Sequence, residues 1–70
     1  MITTILATKT YKMNMGGYVK TKTAQVYTVA FNINGVIEQG KYFRFKYLGD
    51  RVEECFNTLD EAMAKFNKTN

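Results

Sequence analysis

The sequence has no histidine, no tryptophan and no proline, and it has a single cysteine. Histidine is the commonest general base and metal ligand, so its absence removes the most frequent basis for catalysis. One cysteine with scattered carboxylates does not make a zinc site, and Gly16-Gly17 lacks the lysine and hydroxyl residue that complete a phosphate-binding loop. We therefore predict no catalytic residues, no metal site and no cofactor, and hence a protein that is not an enzyme.

The single cysteine, Cys55, cannot form a disulfide within the chain, which is typical of proteins in a reducing compartment. The first nine residues have no basic segment ahead of an apolar one, so they do not resemble a signal peptide. No stretch is long and apolar enough to predict a membrane-spanning helix. These features predict a cytoplasmic protein without a membrane partner.

Acidic residues are absent from the first 37 positions, which contain Lys9, Lys12, Lys20 and Lys22. From Glu38 onward six basic residues balance six acidic ones, so the whole net charge of +4 belongs to the N-terminal half. A surface of one sign attracts nucleic acid or an acidic protein, and we predict that these lysines bind a partner. The alternative is that they keep exposed strands soluble and prevent pairing between sheet edges.

A chain of 70 residues without proline, repeat or linker predicts one domain that spans residues 1–70. Hydrophobic residues make up 46% of it, which favours a packed core over disorder. A domain of this size buries only about 60% of its unfolded surface, so a homodimer would add useful burial.

Residues 41–57 have the pattern of a β-hairpin around Gly49-Asp50. Glycine at the first central position suits a type II′ turn, and this turn places Phe45 opposite Glu54. Side chains alternate across a sheet, so one face of the hairpin is aromatic and includes Val52, with Glu54 as the residue that breaks the pattern. The aromatic residues of this face are Phe43, Phe45, Tyr47 and Phe56.

The outward face of the predicted hairpin carries Tyr42, Arg44 and Lys46, with Lys46 opposite Glu53. An exposed tyrosine between cations is typical of single-strand nucleic-acid binding, and exposed tyrosine and arginine equally anchor protein interfaces. We therefore predict that Tyr42, Arg44 and Lys46 are largely exposed and contact a partner. The alternative is that Tyr42 lies flat on the sheet for local packing.

Thr58 and Glu61 have the spacing of a capping box, which opens an α-helix. An apolar stripe follows at helical spacing and is expected to cover the aromatic face of the hairpin. The stripe consists of Leu59, Ala62, Met63 and Phe66.

Two longer strands, at residues 2–13 and 18–33, precede a type I′ turn at Asn34-Gly35. A register continued unbroken from this turn would place Phe45 outside the core, so we predict one inserted residue, a bulge, at Gly40. The predicted fold class is α+β: an antiparallel three- or four-stranded meander with one C-terminal helix packed on one face, in the order β-β-β-β-α.

The motif Phe56-Asn57-Thr58-x-x-Glu61-Ala62-x-x-x-Phe66 resembles the strand-to-helix junction of the DNA-binding domains of the plant AP2 and phage integrase arm-binding type. In that family an aromatic residue ends the last strand, Asx-Thr caps the helix and Glu-Ala opens it. The resemblance covers the last third of the chain. It implies that the sheet face opposite the helix enters the major groove, with Arg44, Lys46 and Thr28 as reading residues. The chain lacks the tryptophans and arginine-rich first strands of the AP2 group and adds an N-terminal strand.

As a short, basic domain rich in lysine, asparagine and threonine, the chain also resembles the small early proteins of bacteriophages, anti-CRISPR inhibitors among them. This resemblance implies a non-enzymatic module that docks on a host protein or nucleoprotein complex, in the host cytoplasm, and modulates or inhibits it. Binding to duplex DNA through the outer sheet face is the alternative. A structural subunit that self-associates through its edge strands is a third hypothesis.

Overall fold

The computed structural model describes residues 1–69 and contains five β-strands followed by one α-helix. The elements are β1 (Ile2–Asn14), β2 (Val19–Ile33), β3 (Val36–Gln39), β4 (Phe43–Tyr47), β5 (Glu54–Phe56) and α1 (Leu59–Lys68). All strand pairings are antiparallel, and the helix packs on one face of the sheet. The predicted α+β class with a C-terminal helix is confirmed, and the strands number five rather than three or four.

The long strand β2 is paired along both of its edges. β1 pairs with one edge over residues 19–30. The other edge is shared, because β4 pairs with residues 24–27 and β3 pairs with residues 30–33. β5 then pairs with β4, so β2 is the strand on which the rest of the sheet is assembled.

The break between β3 and β4 falls at Gly40, as predicted. The Gly40 N–H donates to the Val29 carbonyl oxygen over 2.8 Å, and a Cβ at position 40 would lie 2.5 Å from that oxygen. Only glycine permits this approach to a backbone atom. The prediction of one inserted residue is wrong, however. Gln39 pairs with Ala30 whereas Arg44 pairs with Tyr27, so two residues are inserted and the alternation of faces is preserved.

The turn at Asn34-Gly35 has the predicted geometry. Asn34 has φ 52° and Gly35 has φ 84°, and both central residues of a type I′ turn require positive φ. The Asn32 side-chain oxygen accepts a hydrogen bond from the Gly35 N–H over 2.9 Å, which stabilises the turn.

The hairpin between β4 and β5 has the predicted register but a different turn. Phe45 lies opposite Glu54, as expected. The hydrogen-bonded turn closes between Tyr47 and Asp50, so Gly49, with φ 92°, occupies the third position of the turn rather than the second. Pairing ends at Phe45 because the loop is wider than a two-residue turn, and Val52 is 79% exposed instead of sharing the aromatic face.

The helix begins where the capping pattern predicts. The Thr58 hydroxyl accepts a hydrogen bond from the Glu61 N–H over 3.2 Å, and the Glu61 carboxylate accepts from the Thr58 hydroxyl over 3.1 Å. Half of the reciprocal box is therefore present, since Glu61 contacts the Thr58 hydroxyl rather than its backbone N–H. Two residues of the apolar stripe, Ala62 and Phe66, are buried, whereas Leu59 is 40% exposed.

The core lies between the helix and one face of the sheet. Small residues of β2 and the helix allow the two layers to approach closely around the aromatic rings of Phe45 and Phe66. Phe43, Tyr47, Phe56 and Met63 pack around this centre. The buried cluster consists of Ala24, Val26, Phe45, Ala62 and Phe66.

Replacement of Phe45 by alanine should lower the free energy of unfolding by about 3–5 kcal/mol, because loss of the ring leaves a cavity at the centre of the helix–sheet interface. Such a loss is a large part of the stability of a small domain. Val52→Ala, in the exposed loop, is the matched control and should change stability by less than about 0.5 kcal/mol. Urea denaturation followed by circular dichroism measures both values. Equal losses in the two variants would contradict the packing described here.

Candidate functional site

The β1–β2 hairpin extends beyond the part of the sheet that β4 and the helix cover. β4 ends at Tyr47, which pairs with Ala24, so residues 9–22 form a two-stranded projection that we call the basic arm. Backbone hydrogen bonds join its two strands, and a turn with positive φ at Gly16 and Gly17 closes it. The arm contains all four N-terminal lysines and no acidic residue.

The lysines of the arm lie on both of its faces. Lys9 pairs with Ala24 on the helix side, and the alternation of β2 places Lys20 and Lys22 on that same side. Lys12 pairs with Thr21 and projects from the opposite side. A ribbon that is positive on both faces suits a concave anionic surface better than a flat one.

Two of the lysines attach the base of the arm to the body of the protein. The Lys9 ammonium lies 4.6 Å from the centroid of the Phe66 ring, and the Lys22 ammonium lies 4.3 Å from the centroid of the Tyr47 ring. Such cation–π contacts stabilise a structure by about 0.5–1 kcal/mol at exposed sites. Lys12 and Lys20 are exposed further along the arm, so these two are the lysines best placed to contact a partner.

The tip of the arm combines backbone freedom with apolar side chains. The Met15 N–H donates to the Tyr18 carbonyl over 2.8 Å, and the Asn14 side chain accepts from the Gly16 N–H over 3.2 Å. Tyr18 is 63% exposed and Val19 is 62% exposed. The arm therefore presents an apolar tip between basic flanks.

The predicted outward residues do not form the open cationic face that the sequence suggested. Tyr42 is exposed, but Arg44 and Lys46 are only half-exposed. Arg44 forms an ion pair and hydrogen bond with Glu53, and its side chain is 23% exposed. The prediction that Arg44 and Lys46 are largely exposed is therefore wrong. The reason is that Glu53 lies outside the β4–β5 ladder and turns back over Arg44.

A polar cluster covers the sheet face opposite the helix. The Tyr27 hydroxyl donates a hydrogen bond to Glu53, and the Lys46 ammonium lies 5.2 Å from the centroid of the Tyr27 ring. Lys46 thus lies over Tyr27 instead of forming the predicted direct pair with Glu53. Tyr27 is 3% exposed, so this face is partly closed by its own side chains.

The electrostatics of this cluster favour the ionised carboxylate of Glu53. The hydrogen bond from Tyr27, with a contribution from Arg44, holds the pKa of Glu53 below its ordinary value of 4.5. Burial, together with the hydrogen bond to Glu53, raises the pKa of Tyr27 well above its usual range. The cluster is thus a stable donor–acceptor arrangement at neutral pH rather than a proton-transfer site.

Sequence reasoning missed Tyr27, placed Glu53 opposite Lys46 rather than beside Arg44, and singled out Glu54 as the unusual carboxylate. Glu54 forms only a loose pair with Lys65 of the helix, at 3.8 Å, and both side chains are well exposed. The predicted pairing of Phe45 with Glu54 could have identified Glu53 as a neighbour of Arg44, because Glu53 lies just beyond Glu54, the last paired residue of β5. Tyr27 lies within an apolar run and gives no such signal.

Features of other site types are few in the described part of the chain. Residues 1–69 contain no group of three or more potential metal ligands. A cavity of about 180 Å³ lies between β4, the helix and the loop that follows β4. Its volume is smaller than the roughly 300–1,000 Å³ of most small-molecule sites. Cys55 is exposed and unpaired. No helix in the described range has the length and hydropathy needed to cross a membrane.

Comparisons with protein-family models, with curated proteins and with solved structures give no match to this chain. The candidate site therefore rests on the geometry and charge of the chain itself.

The Glu53 cluster generates a pH-dependent prediction. Because the folded state favours the ionised carboxylate, its stabilising effect is complete above about pH 4.5 and is lost as the pH falls through the lower folded-state pKa. Tyr27→Phe should reduce the free energy of unfolding at neutral pH by about 1 kcal/mol, a value kept low because the carboxylate is partly exposed to solvent. The variant should also show a weaker dependence of stability on acid pH. Tyr18→Phe, at the exposed tip, is the control.

Urea denaturation at a series of pH values between about 3 and about 7 measures both effects. An acid dependence that is identical in Tyr27→Phe and the unmodified protein would show that the hydrogen bond does not stabilise the carboxylate.

Proposed function

We propose that the protein is a non-enzymatic binding module that docks through its basic arm on an anionic surface of a host protein or nucleoprotein complex. The observation that carries this proposal is the arm itself, which projects from the body and holds four lysines without an acidic residue. Lys12 and Lys20 make the first contacts in this proposal, and the apolar tip adds a surface that can be buried at the interface.

The effect of docking would be to modulate or inhibit the host machine by occupying its anionic cleft. The resemblance to small early phage proteins supports an inhibitor of anti-CRISPR type that acts in the host cytoplasm. A preformed two-stranded ribbon suits this role, because a binding element that is already folded loses less conformational freedom when it binds than an unfolded segment does.

Direct binding to duplex DNA is the second candidate, and the shape of the arm favours it. The major groove admits a two-stranded β-ribbon, and lysines on both faces of a ribbon can reach the phosphates that line the groove. The integrase-like version, with Arg44 and Lys46 as readers, has weaker support because Arg44 is held by Glu53.

The test compares two double charge reversals. Lys12→Glu with Lys20→Glu changes the arm, and Lys41→Glu with Arg51→Glu changes exposed positions outside it. Each reversal removes two units of charge, so both variants have zero net charge instead of +4 and differ only in where the change lies. The arm variant should bind its partner about tenfold more weakly or worse, since like charges at an interface are strongly unfavourable.

Affinity capture from a bacterial lysate, with and without nuclease, and gel-shift titration on duplex DNA at about 50 and about 200 mM salt provide the readouts. Nuclease-resistant capture that the arm variant loses and the control retains supports a protein partner. Direct duplex binding whose salt slope falls by about 2 in the arm variant supports the second candidate. Equal binding by the two variants in both assays would contradict an interaction through the arm.

A further inference from the structure

The two faces of the basic arm carry different side chains. Tyr11 pairs with Lys22, two positions along β1 from Lys9, so these side chains project from the same side of the sheet as the helix. The hydrogen bond between Met15 and Tyr18 continues this register by one pair to the tip. We call this side of the ribbon the helix-side face of the arm. It carries Lys9, Tyr11, Met13, Tyr18, Lys20 and Lys22.

The opposite face of the arm has no aromatic side chain. Lys12 is its one cation, and the Thr10 hydroxyl forms a hydrogen bond with the Thr23 hydroxyl over 2.9 Å at its base. Three of the four lysines and both tyrosines of the arm therefore lie on the helix-side face. The arm thus has one face that combines cations with aromatic rings and one that does not.

The side chains of the helix-side face form a regular series of rows. Successive pairs on one face of a ladder are two residues apart, which is about 7 Å along the strands. The rows of Tyr11 and Tyr18 are therefore about 13 Å apart, and Lys20 lies in the row between them. Rings and ammonium groups in this arrangement can contact successive units of an extended polyanion.

The inner end of this face is oriented by contacts with the body of the protein. A hydrogen bond between the two hydroxyls raises the pKa of Tyr11 to about 12 and lowers the pKa of Tyr47. Lys22, whose ammonium lies over the Tyr47 ring, also lowers the pKa of Tyr47, so the local field favours negative charge. Tyr11 and Lys22 are held before a ligand arrives, which reduces the freedom lost on binding.

This combination suits single-stranded nucleic acid better than other anionic partners. Unpaired bases expose flat faces that stack on aromatic rings, while the phosphates contact cations. In a duplex the base faces are hidden in the stack, so only the lysines of the arm would be used, on both of its faces. A carboxylate-rich protein segment supplies the negative charge but not the flat faces.

We propose that the helix-side face of the arm binds single-stranded nucleic acid, with bases stacked on Tyr11 and Tyr18 and phosphates at Lys20 and Lys22. This inference rests on the proposed function, since it uses the arm as the binding element and names the anionic part of the nucleoprotein partner. Charge complementarity supports it, because the first 37 residues contain no acidic side chain. Stacking and phosphate contacts select no particular base, so binding should tolerate changes of sequence.

Fluorescence anisotropy with a labelled oligothymidine of about 12 nucleotides, at about 50 mM salt, tests the proposal. An abasic chain of the same length has the same phosphates without bases, and a duplex of the same length has its base faces hidden. The unmodified protein should bind the oligothymidine about tenfold or more tightly than the abasic chain, because the abasic chain cannot stack. It should also bind the oligothymidine more tightly than the duplex.

Substitutions at exposed positions test the two kinds of contact separately. Tyr18→Ala should weaken oligothymidine binding about fivefold or more and leave binding of the abasic chain unchanged. Tyr42→Ala removes an exposed tyrosine outside the arm and should bind like the unmodified protein. Lys20→Gln should lower the salt slope by about 0.7 and should weaken binding more than Lys12→Gln, on the opposite face. Circular dichroism verifies that each variant is folded.

Equal affinity for the oligothymidine and the abasic chain, tighter binding of the duplex, or equal effects of Lys12→Gln and Lys20→Gln would each overturn the proposal. Absence of single-strand binding would overturn it alone if nuclease-resistant capture remained sensitive to the charge reversals in the arm. The proposed function would then stand with a protein partner. Absence of both kinds of binding would overturn the inference and the proposed function together.

Discussion

The fold depends on the close approach of Gly40 to the backbone of Val29, because this contact lets two short strands share one edge of β2. The Gly40 N–H donates a hydrogen bond to the Val29 carbonyl oxygen, and a side chain at position 40 would collide with that oxygen. β3 on one side of the contact and β4 on the other are thereby held to the same strand. β4 carries β5 and packs against the helix, so the body of the protein is assembled on the middle of β2.

β2 is longer than this body, and its two ends have different chemistry. The N-terminal part of β2 joins β1 in the basic arm, and the C-terminal part, residues 30–33, pairs with β3. The arm is suited to an anionic partner because its lysines lie on both faces. The β2–β3 end instead exposes apolar side chains, with Glu38 opposite Phe31 as its ionisable group. The Tyr27–Glu53–Arg44 cluster covers the sheet between them and removes Arg44 from the set of open cations.

Local chemistry allowed most of the fold to be predicted from the sequence. Positive φ at Asn34-Gly35, the Thr58 cap and the pairing of Phe45 with Glu54 depend on neighbouring residues, and each is present. The exposure of Arg44 could not be predicted, because it depends on Glu53 leaving the ladder to meet Tyr27, a residue 26 positions away. The number of residues inserted at Gly40 could not be predicted either, since it depends on which face of β2 the helix covers. The lysines of the arm were identified from charge alone, whereas their distribution over two faces required the register of β1 against β2.

The central structural claim is that a stable body on the middle of β2 carries a separate projecting arm. Amide hydrogen exchange, measured residue by residue by NMR, tests it most directly, because protection reports the free energy of local opening. We expect the amides of residues 24–29 that bond within the sheet to exchange slowest, at the rate set by global unfolding. Those of residues 10–14 and 19–22 should exchange about a hundredfold faster or more, because only two strands hold them. Equal protection of the arm and the body would contradict this division of the molecule.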